Sequence, residues 1–358
     1  MPATLENLLG IDEPIVLGPF GGASSVELTA LVSEAGGLGS FGLYGYSAER
    51  IHDAITRLRA ATDRPFAVNL WLPTGDEVVP GDVDLQPYVD ALAPLYDEVG
   101  VQPPAPPAAF IPAFDTQLDA VLDAAPAVVS FVYGVPSPEV VDRAHRRGAH
   151  VIATATTVAE ARALDEAGVD AIVASGAEAA GHRVSFLRPA EQSLVGVISL
   201  IPQVVDAVRA PVIAAGGIAD RRGVAAAFAL GASGVQVGTA FLRTRESAVP
   251  ESHRRAIADA SDTDTVLTRA MSGRLARGIP NRAMREIEST GLLAPFPAQN
   301  WLTGAFRTAA AQQDRGDLLS LWAGQSAALA TRVDAAEVFA ELREGIPSDR
   351  RAGEGNEA

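Results

Sequence analysis

Short apolar runs alternate with longer amphipathic segments through most of this chain. Eight of these runs have the length of buried strands, and segments of helical periodicity separate the last seven. Parallel strands that are covered on both faces read as continuous apolar runs, as these do. The alternation therefore predicts βαβ units, and eight repeats predict an α/β fold closed into a TIM (β/α)₈ barrel. The runs lie at residues 14–18, 38–42, 66–70, 127–131, 149–153, 170–174, 211–215 and 233–238.

The spacing of the later strands singles out one loop. Strand starts at 127, 149, 170, 211 and 233 are separated by 22, 21, 41 and 22 residues, so the interval after the sixth strand is nearly doubled. In this fold the loops at the carboxyl ends of the strands build the active site. We therefore expect the extended segment, residues 175–196, to carry chemistry.

The chain is longer than a barrel requires. A barrel of this type needs ~250 residues, which leaves about 100 for additions. We expect the barrel to occupy residues 1–261, with an inserted segment within 72–126 whose proline-rich part, 101–114, is a stiff connector. Residues 262–344 are expected to form a small C-terminal helical cap, and residues 345–358 a disordered tail.

The composition excludes several classes of chemistry. The chain has no cysteine and no lysine, so all 28 of its basic residues are arginine. This excludes disulfides, thiolate metal sites, cysteine nucleophiles, Schiff-base lysines and the P-loop lysine. The formal charge of −16 argues against nucleic acid and anionic membranes as partners, because both require clustered cations. The amino-terminal sequence does not resemble a signal peptide, so a cytoplasmic protein is expected.

Two glycine-bearing loops predict a phosphate site. They follow the seventh and eighth predicted strands, within residues 210–241. Glycine lets the backbone approach a ligand closely, and barrels often bind phosphate in these two loops and at the amino end of a short helix there. The alternative is that the glycines only form tight turns. The candidate residues are Gly216, Gly217, Gln236, Val237, Gly238 and Thr239.

The extended loop contains a histidine that suits acid–base chemistry. His182 lies among small residues in the segment 178–183. The unperturbed pKa of histidine is the nearest to neutrality, which suits a general base, although a structural histidine is the alternative. Glu178 either orients this ring or is solvated. His52, His145 and His150 are expected away from the catalytic face, in or beside helices and a strand start, and His253 is expected in a polar helix.

The first and third strands end in residues that suit a flat ligand over the barrel mouth. Phe20, Gly21 and Gly22 follow the first strand, where small residues leave room. Asn69 ends the third strand, and its amide can both donate and accept hydrogen bonds. A turn-forming role for Asn69 fits the local sequence nearly as well.

Two further patterns have structural explanations. Ser24 or Ser25 can cap the first barrel helix. Residues 37–42 match G-x-G-x-x-G, but a dinucleotide fingerprint must follow a strand and open a helix. Here a helix precedes the pattern and a strand runs through it, so we do not interpret it as a nucleotide site.

Residues 175–186 and 210–241 together resemble the nitronate monooxygenase family, formerly called 2-nitropropane dioxygenases. The resemblance covers nearly the whole chain and includes the C-terminal segments RAMSGRLARGIPNR, FPAQNWLTGAFR and LWAGQSAAL. It implies a barrel with non-covalently bound FMN and His182 as the catalytic base. The residues it places at the cofactor are Asn69, Gly217, Gln236, Val237, Gly238 and Thr239. Further candidates for contact with the cofactor are Phe20, Gly21, Gly22, Ser175, Ala180, Gly181 and Gly216.

Several positions depart from the residues usual in that family. Methionine is common at the position of Phe20, glutamine at Ser175, glycine at Ala180, histidine at Val132, glycine at Val184 and tyrosine at Phe296. Ala180 can still supply a backbone N–H. Ser175 is shorter than glutamine, and Val132 removes a polar group near the substrate side. The departures leave the identity of the substrate open.

The resemblance implies FMN-dependent oxidation of alkyl nitronates, such as propionate 3-nitronate, by O₂ to a carbonyl compound and nitrite. His182 would take the α-proton of a neutral nitroalkane or hydrogen-bond the nitronate. The alternative is an FMN-dependent NAD(P)H reductase of the enoyl-acyl-carrier-protein reductase II or quinone reductase type. A non-catalytic flavin-binding barrel and a sugar-phosphate lyase or isomerase are more distant alternatives. No metal site is predicted, and a homo-oligomer is left open.

Overall fold

The computed structural model describes residues 4–351, and its main feature is a closed barrel of eight parallel strands. All eight predicted strands are confirmed, and all except the third begin one residue later than expected. A parallel bridge between Val16 and Leu38 closes the barrel between its first two strands. The strands are β1 (Ile15–Leu17), β2 (Gly39–Gly42), β3 (Phe66–Trp71), β4 (Val128–Val132), β5 (His150–Ala155), β6 (Ala171–Ser175), β7 (Gly181–His182, outside the barrel), β8 (Val212–Ala215) and β9 (Gly234–Val237).

Most of the helices that surround the barrel begin at side-chain caps. Ser25 Oγ accepts the N–H of Leu28, so the cap of the first barrel helix is Ser25. Ser24 instead orders the preceding loop, because its Oγ donates to Phe20 O and accepts the N–H of Gly42. The helices are α1 (Leu5–Leu9), α2 (Val26–Glu34), α3 (Ala48–Ala61), α4 (Gln86–Val99), α5 (Phe114–Ala124), α6 (Pro138–Arg146), α7 (Val158–Glu166), α8 (Val197–Val205), α9 (Arg221–Ala229), α10 (Thr239–Leu242), α11 (Glu251–Asp259), α12 (Arg282–Ser289), α13 (Ala298–Gln312), α14 (Ala335–Arg343) and α15 (Ser348–Arg351).

The barrel is completed by a helix from the far end of the chain. Val338, Phe339 and Leu342 of α14 are buried in the main core, and α14 packs between α2 and α9. The predicted barrel boundary at residue 261 is therefore wrong, because the cap interrupts the chain between the eighth barrel strand and its helix. At the opposite end, Leu5 and Leu9 of α1 pack under the barrel and close its amino end.

The inserted segment and the cap form one structure. In α4, Leu92 and Tyr96 pack with Leu302 and Phe306 of α13 in a second hydrophobic core. The hydroxyl of Tyr96 donates to Leu302 O at 2.9 Å, which fixes α4 against α13. The insertion is thus part of the cap. It is also shorter than the predicted 72–126, because α5 packs on β3 as a barrel helix.

A small antiparallel sheet joins the extended loop to the cap. Its strands are β10 (Val266–Thr268), β11 (Ala276–Gly278) and the short β7. In the register of this sheet, His182 lies opposite Ala276. The loop after β6 is therefore held by the cap, and this fixes the position of His182 above the barrel mouth.

The C-terminal segment is ordered farther than expected. Ile346 is 4% exposed and packs in the main core, and residues 348–351 form α15. The predicted disorder is wrong for residues 345–351, because Ile346 extends the apolar face that α14 presents to the barrel. The rest of the predicted tail, residues 352–358, lies outside the described residues.

The G-x-G-x-x-G pattern at residues 37–42 is a packing feature. A Cβ on Gly39 would lie 2.0 Å from Thr29 O, and one on Gly42 would lie 2.8 Å from Phe20 O. Both positions therefore need glycine so that β2 can approach α2 and the loop after β1. This agrees with the interpretation of the pattern as structural.

Two features are absent from residues 4–351. No helix there is long and apolar enough to cross a membrane. No group of three or more His, Asp or Glu side chains there is arranged to hold a metal ion.

Candidate active site

A cavity of about 880 Å³ lies at the carboxyl ends of the barrel strands, beneath the cap. Of the predicted site residues, all except Val237 line it. Val237 is fully buried in the barrel core instead, because alternate residues of a strand face opposite sides. The predicted residues that line the cavity are Phe20, Gly21, Gly22, Asn69, Ser175, Ala180, Gly181, His182, Gly216, Gly217, Gln236, Gly238 and Thr239.

The loops after β8 and β9 present free backbone donors at one end of the cavity. Gly216 and Gly217 have φ values of 101° and 71°, in the left-handed region that favours glycine. The N–H groups of Gly217, Gly238 and Thr239 have no acceptor among residues 4–351. Converging unpaired N–H groups of this kind bind phosphate well.

The segment 321–329 closes this end of the cavity from above. Ser326 Oγ donates to Gly217 O at 2.7 Å, and the N–H of Gly324 donates to Thr239 Oγ1 at 3.0 Å. A Cβ on Gly324 would lie 2.8 Å from Glu178 O, so the close approach of this segment depends on glycine. The C-terminal motif LWAGQSAAL, residues 321–329, therefore contacts both glycine loops.

Polar groups for a flat ligand lie farther along the cavity. The Nδ2 of Asn69 donates to Ser130 O and Ser130 Oγ at 3.2 and 3.0 Å. This orientation leaves Oδ1 as an acceptor with no donor among residues 4–351. The backbone N–H of Ala180 also has no acceptor in that part of the chain. A ligand between these two residues can thus find both an acceptor and a donor.

His182 lies in an aromatic enclosure and forms one short hydrogen bond. Its Nε2 is 2.8 Å from Ser272 Oγ. Ring centres of Trp71 and Trp322 lie 4.9 and 5.5 Å from the imidazole. Burial, together with the positive charges of two arginines, lowers the pKa of His182 to about 3. The ring is therefore neutral at physiological pH.

Glu178 neither orients His182 nor is freely solvated. Both of its carboxylate oxygens accept the N–H of Val197, at 2.9 and 3.0 Å. Val197 is the first residue of α8, whose preceding residue Gly196 offers no side-chain cap. A carboxylate at a helix amino end satisfies an unpaired donor and complements the helix dipole. Both interpretations offered from the sequence are thus replaced by a capping role.

A buried arginine is clamped above the cavity. The guanidinium of Arg274 lies 4.4 Å from the centre of the Tyr133 ring and 3.9 Å from that of Phe296. Its NH2 atom is 2.6 Å from Asp76 and 2.8 Å from Glu77. The two carboxylates belong to the inserted segment, so the insertion neutralises a charge that acts on His182.

His253 is a cavity residue that the sequence did not single out. It lies in α11, but it is 4% exposed and lines the cavity, and its Nε2–H donates to Trp322 O at 3.0 Å. Burial lowers the pKa of His253 to about 4, although the hydrogen bond to Trp322 opposes this. The polar surroundings of His253 in the sequence concealed this position, because α11 turns its buried face towards the C-terminal segment.

The aromatic and cationic residues of the site were also missed. They come from the ends of β2 and β3 and from the cap, far from His182 in sequence. No local sequence pattern marks such residues. For α13 alone, the three- and four-residue spacing indicates which residues share a face once the helix is known. The unpredicted residues that line the cavity or contact His182 include Tyr44, Trp71, Ser272, Asn300, Arg307 and Trp322, together with Val132, Val184 and Phe296, which had been noted only as departures.

Comparisons with known proteins agree with this geometry. The family model described as "Nitronate monooxygenase" matches residues 3–345. A Staphylococcus aureus (strain Newman) protein named "Probable nitronate monooxygenase" is 40% identical over 345 residues, covering 94% of this chain and 95% of the relative.

Two solved structures are similar over almost the full length. A nitroalkane oxidase from Streptomyces ansochromogenes is 37% identical with a TM-score of 0.87, covering 98% of this chain and 99% of its own. FabK from Thermotoga maritima is 32% identical with a TM-score of 0.74, and the similarity covers 96% of each chain.

Proposed function

The chain belongs to the nitronate monooxygenase family and is therefore an oxidoreductase; we propose that it binds FMN and oxidises alkyl nitronates with O₂ to a carbonyl compound and nitrite. The observation that carries the proposal is that His182 lines the same cavity as the free N–H groups of the two glycine loops. A phosphate held by these loops directs the rest of a flat cofactor towards His182.

The residues of the cavity fit FMN. Gly217, Gly238 and Thr239 would hold the phosphate through their unpaired N–H groups. Asn69 Oδ1 and the N–H of Ala180 would hydrogen-bond the polar edge of the ring. Bound FMN supplies the redox chemistry, and the protein supplies position and electrostatics.

His182 is better suited to hold a nitronate than to deprotonate a nitroalkane. A general base is most effective when its pKa is close to the working pH, and the pKa of His182 is about 3. A nitronate has already lost its α-proton, so it needs only a hydrogen bond. Its negative charge would raise the pKa of the neighbouring imidazole and strengthen that bond.

The proposal is tested with the purified protein and two substrates. Mass spectrometry of the released cofactor should identify FMN, and an alkyl nitronate should consume O₂ and yield nitrite. With a neutral nitroalkane, His182→Asn should slow turnover by about 10²–10⁴-fold if the imidazole acts as base. If the variant keeps the wild-type rate with the neutral nitroalkane, His182 is not a base, and its role is limited to binding. A protein that takes up FMN but oxidises no nitronate would overturn the proposed reaction.

The similarity to FabK favours one alternative, an FMN-dependent NAD(P)H reductase. The two proposals differ in the electron donor. Without O₂, NADH or NADPH should bleach the flavin absorbance rapidly in a reductase and leave it unchanged in a nitronate monooxygenase. Rapid bleaching by NADH alone would show that the protein is a reductase and would overturn the proposed monooxygenase activity.

A further inference from the structure

One face of α13 lines the cavity, and the opposite face is buried in the cap core. The cavity-facing residues recur at the three- and four-residue spacing of a single helix face. Most of them are small or uncharged, so the charged residue of this face, Arg307, is the exception. The cavity-facing residues are Asn300, Gly304, Arg307, Thr308, Ala311 and Gln312.

The guanidinium of Arg307 is held entirely by neutral groups. Its NH1 donates to Ser320 Oγ at 2.8 Å, and its NH2 donates to Asn300 O and Asn300 Oδ1 at 3.1 and 2.7 Å. Arginine has five N–H donors, so two are left over, and the buried Nε has no acceptor among residues 4–351. No carboxylate of that part of the chain forms an ion pair with Arg307.

The charge of Arg307 is therefore uncompensated where it faces the cavity. Arg274, the other arginine that acts on His182, is neutralised by Asp76 and Glu77. Burial lowers the pKa of Arg307 to about 10, which still leaves it protonated at neutral pH. Leaving a charge without a counter-ion in a protein cavity costs free energy unless a ligand supplies the opposite charge.

The neighbouring titratable groups do not supply that charge. Burial raises the pKa of Tyr44 to about 12, so its phenol is neutral, and its oxygen accepts a hydrogen bond from Asn300. Glu178 lines the cavity, but its carboxylate is bound to the N–H of Val197 and its backbone lies beside the phosphate loops. Among residues 4–351, Arg307 is thus a charged residue of the cavity lining that has no ion-pair partner.

We propose that Arg307 is the anion-binding residue of the substrate pocket, where it holds a small planar oxyanion next to His182. In the reaction proposed above, on which this inference rests, the oxyanion is the nitro group of an alkyl nitronate. A nitronate carries a full negative charge shared by its two oxygens, whereas a neutral nitroalkane does not. Arg307 therefore selects the anion over its conjugate acid, through charge-assisted hydrogen bonds in a site of low polarity.

The first test uses Arg307→Met with Arg57→Met as the matched control. Arg57 lies on α3, and its side chain is 65% exposed, so the control makes the same chemical change away from the cavity. The probe is sodium nitrate, a planar oxyanion that does not react, and its binding to the holoenzyme is measured by calorimetry. Arg307→Met should weaken nitrate binding by about 10- to 100-fold, as expected for lost hydrogen bonds to a charged group. Arg57→Met should change it by less than about threefold.

A second pair of variants keeps Arg307 in place. Ser320 Oγ lies 2.8 Å from Arg307 NH1, so Ser320→Glu would place a carboxylate against the guanidinium. Ser320→Gln has nearly the same size and no charge. Nitrate should bind at least about 10-fold more weakly to Ser320→Glu than to Ser320→Gln, because the new carboxylate satisfies the arginine internally. Equal binding by these two variants would overturn the proposal, even if Arg307→Met fails to fold.

Nitronate kinetics and nitrate binding together separate the role of Arg307 from the proposed reaction. If the protein oxidises nitronates, Arg307→Met should raise the KM for the nitronate by about 10- to 100-fold and leave the KM for the neutral nitroalkane within about threefold. An equal rise for both substrates would show a structural role instead. If no nitronate is oxidised but nitrate binding still depends on Arg307, the anion site stands and the reaction does not.

Discussion

The environment of His182 shows how little a residue's type says about its chemistry. Histidine ordinarily titrates near neutrality, but here burial and the charges of Arg274 and Arg307 lower the pKa of His182 to about 3. A residue that sequence reasoning selects as a general base is therefore neutral and weakly basic in the free enzyme. Its chemistry is decided by residues that lie about 90 to 125 positions later in the chain.

Ser272 provides the hydrogen bond that orients His182, and removing it should reduce activity. Ser272→Ala eliminates the bond to Nε2 at 2.8 Å, so the imidazole can rotate within its enclosure. Loss of one neutral hydrogen bond corresponds to about 0.5–1.5 kcal/mol, and we expect kcat/KM for a nitronate to fall about 2- to 10-fold. Ser272→Thr keeps the hydroxyl and should retain more activity than Ser272→Ala. Equal losses in the two variants would mean that the hydroxyl does not matter.

The sequence predicts one side of the cavity better than the other. His182 and the glycine loops lie at strand ends, where the barrel topology brings them together, so their position follows from the strand pattern. Ser272, Arg274 and Arg307 lie in the cap, and no regular repeat relates the cap to the barrel. Their proximity to His182 depends on how two hydrophobic cores pack, which local sequence does not encode.

At the scale of elements, the pattern at residues 37–42 shows why glycine motifs need structural context. Gly39→Ala should destabilise the protein, because its Cβ would overlap Thr29 O at 2.0 Å and force β2 away from α2. Overpacking of this kind costs about 1–3 kcal/mol, which urea denaturation would detect. Gly81→Ala is the control, since nothing lies within 4 Å of its Cβ position. A stable Gly39→Ala protein with weakened FMN binding would contradict the packing role.

An ionic cluster around Arg274 links the inserted segment to the cap. Burial opposes ionisation of Asp76 and Glu77, but hydrogen bonds from Thr74 and Arg274 outweigh it and lower the pKa of both carboxyls. The double variant Asp76→Asn with Glu77→Gln removes both carboxylates from Arg274. The guanidinium stays charged and keeps only its contacts with the rings of Tyr133 and Phe296 and its neutral hydrogen bonds. We expect faster proteolysis within residues 73–79 and a loss of about 1–3 kcal/mol of unfolding free energy. Asp84→Asn, at an exposed position of the same segment, is the control and should not change either measurement.

The elements themselves were largely predictable, and the exceptions have one cause. Buried parallel strands are marked by continuous apolar runs, so all eight barrel strands were found. The assignment of helices to domains failed for α5 and α14, because an amphipathic pattern shows that a helix has a partner and does not show which partner. The chain leaves the barrel twice, after β3 and after β9, and returns each time to complete it.

At the scale of the whole molecule, the inserted segment and the cap form one structure that covers the barrel mouth and is joined to the barrel. The second hydrophobic core joins the insertion to the cap, and β7 links the cap to the loop that carries His182. The cavity lies between these two cores, so its lining depends on both. Folding and site assembly are therefore coupled, and residues of the site should influence the stability of the entire chain.

Because His253 is buried and neutral in the folded protein, stability should fall as the pH is lowered. Its pKa is about 4 when folded and 6.5 when unfolded, so between these values the unfolded chain binds more protons. This pKa difference corresponds to about 3 kcal/mol of unfolding free energy, which is lost in full only below about pH 4. The lowered pKa of His182 acts in the same direction. We expect the unfolding free energy from urea titrations to decrease by up to about 1.4 kcal/mol per pH unit for His253 alone.

His253→Gln tests this dependence directly, since an amide N–H can still donate to Trp322 O. The variant should show a shallower decrease of unfolding free energy between about pH 6.5 and about pH 4.5, where wild-type His253 gains its proton on unfolding. His52→Gln is the matched control, because His52 is exposed on α3 and its replacement leaves the cavity untouched. If His253→Gln and His52→Gln follow the same pH profile as the wild type, the charge state of His253 does not change on unfolding. The acid sensitivity of the molecule would then have to come from His182 and the carboxylates.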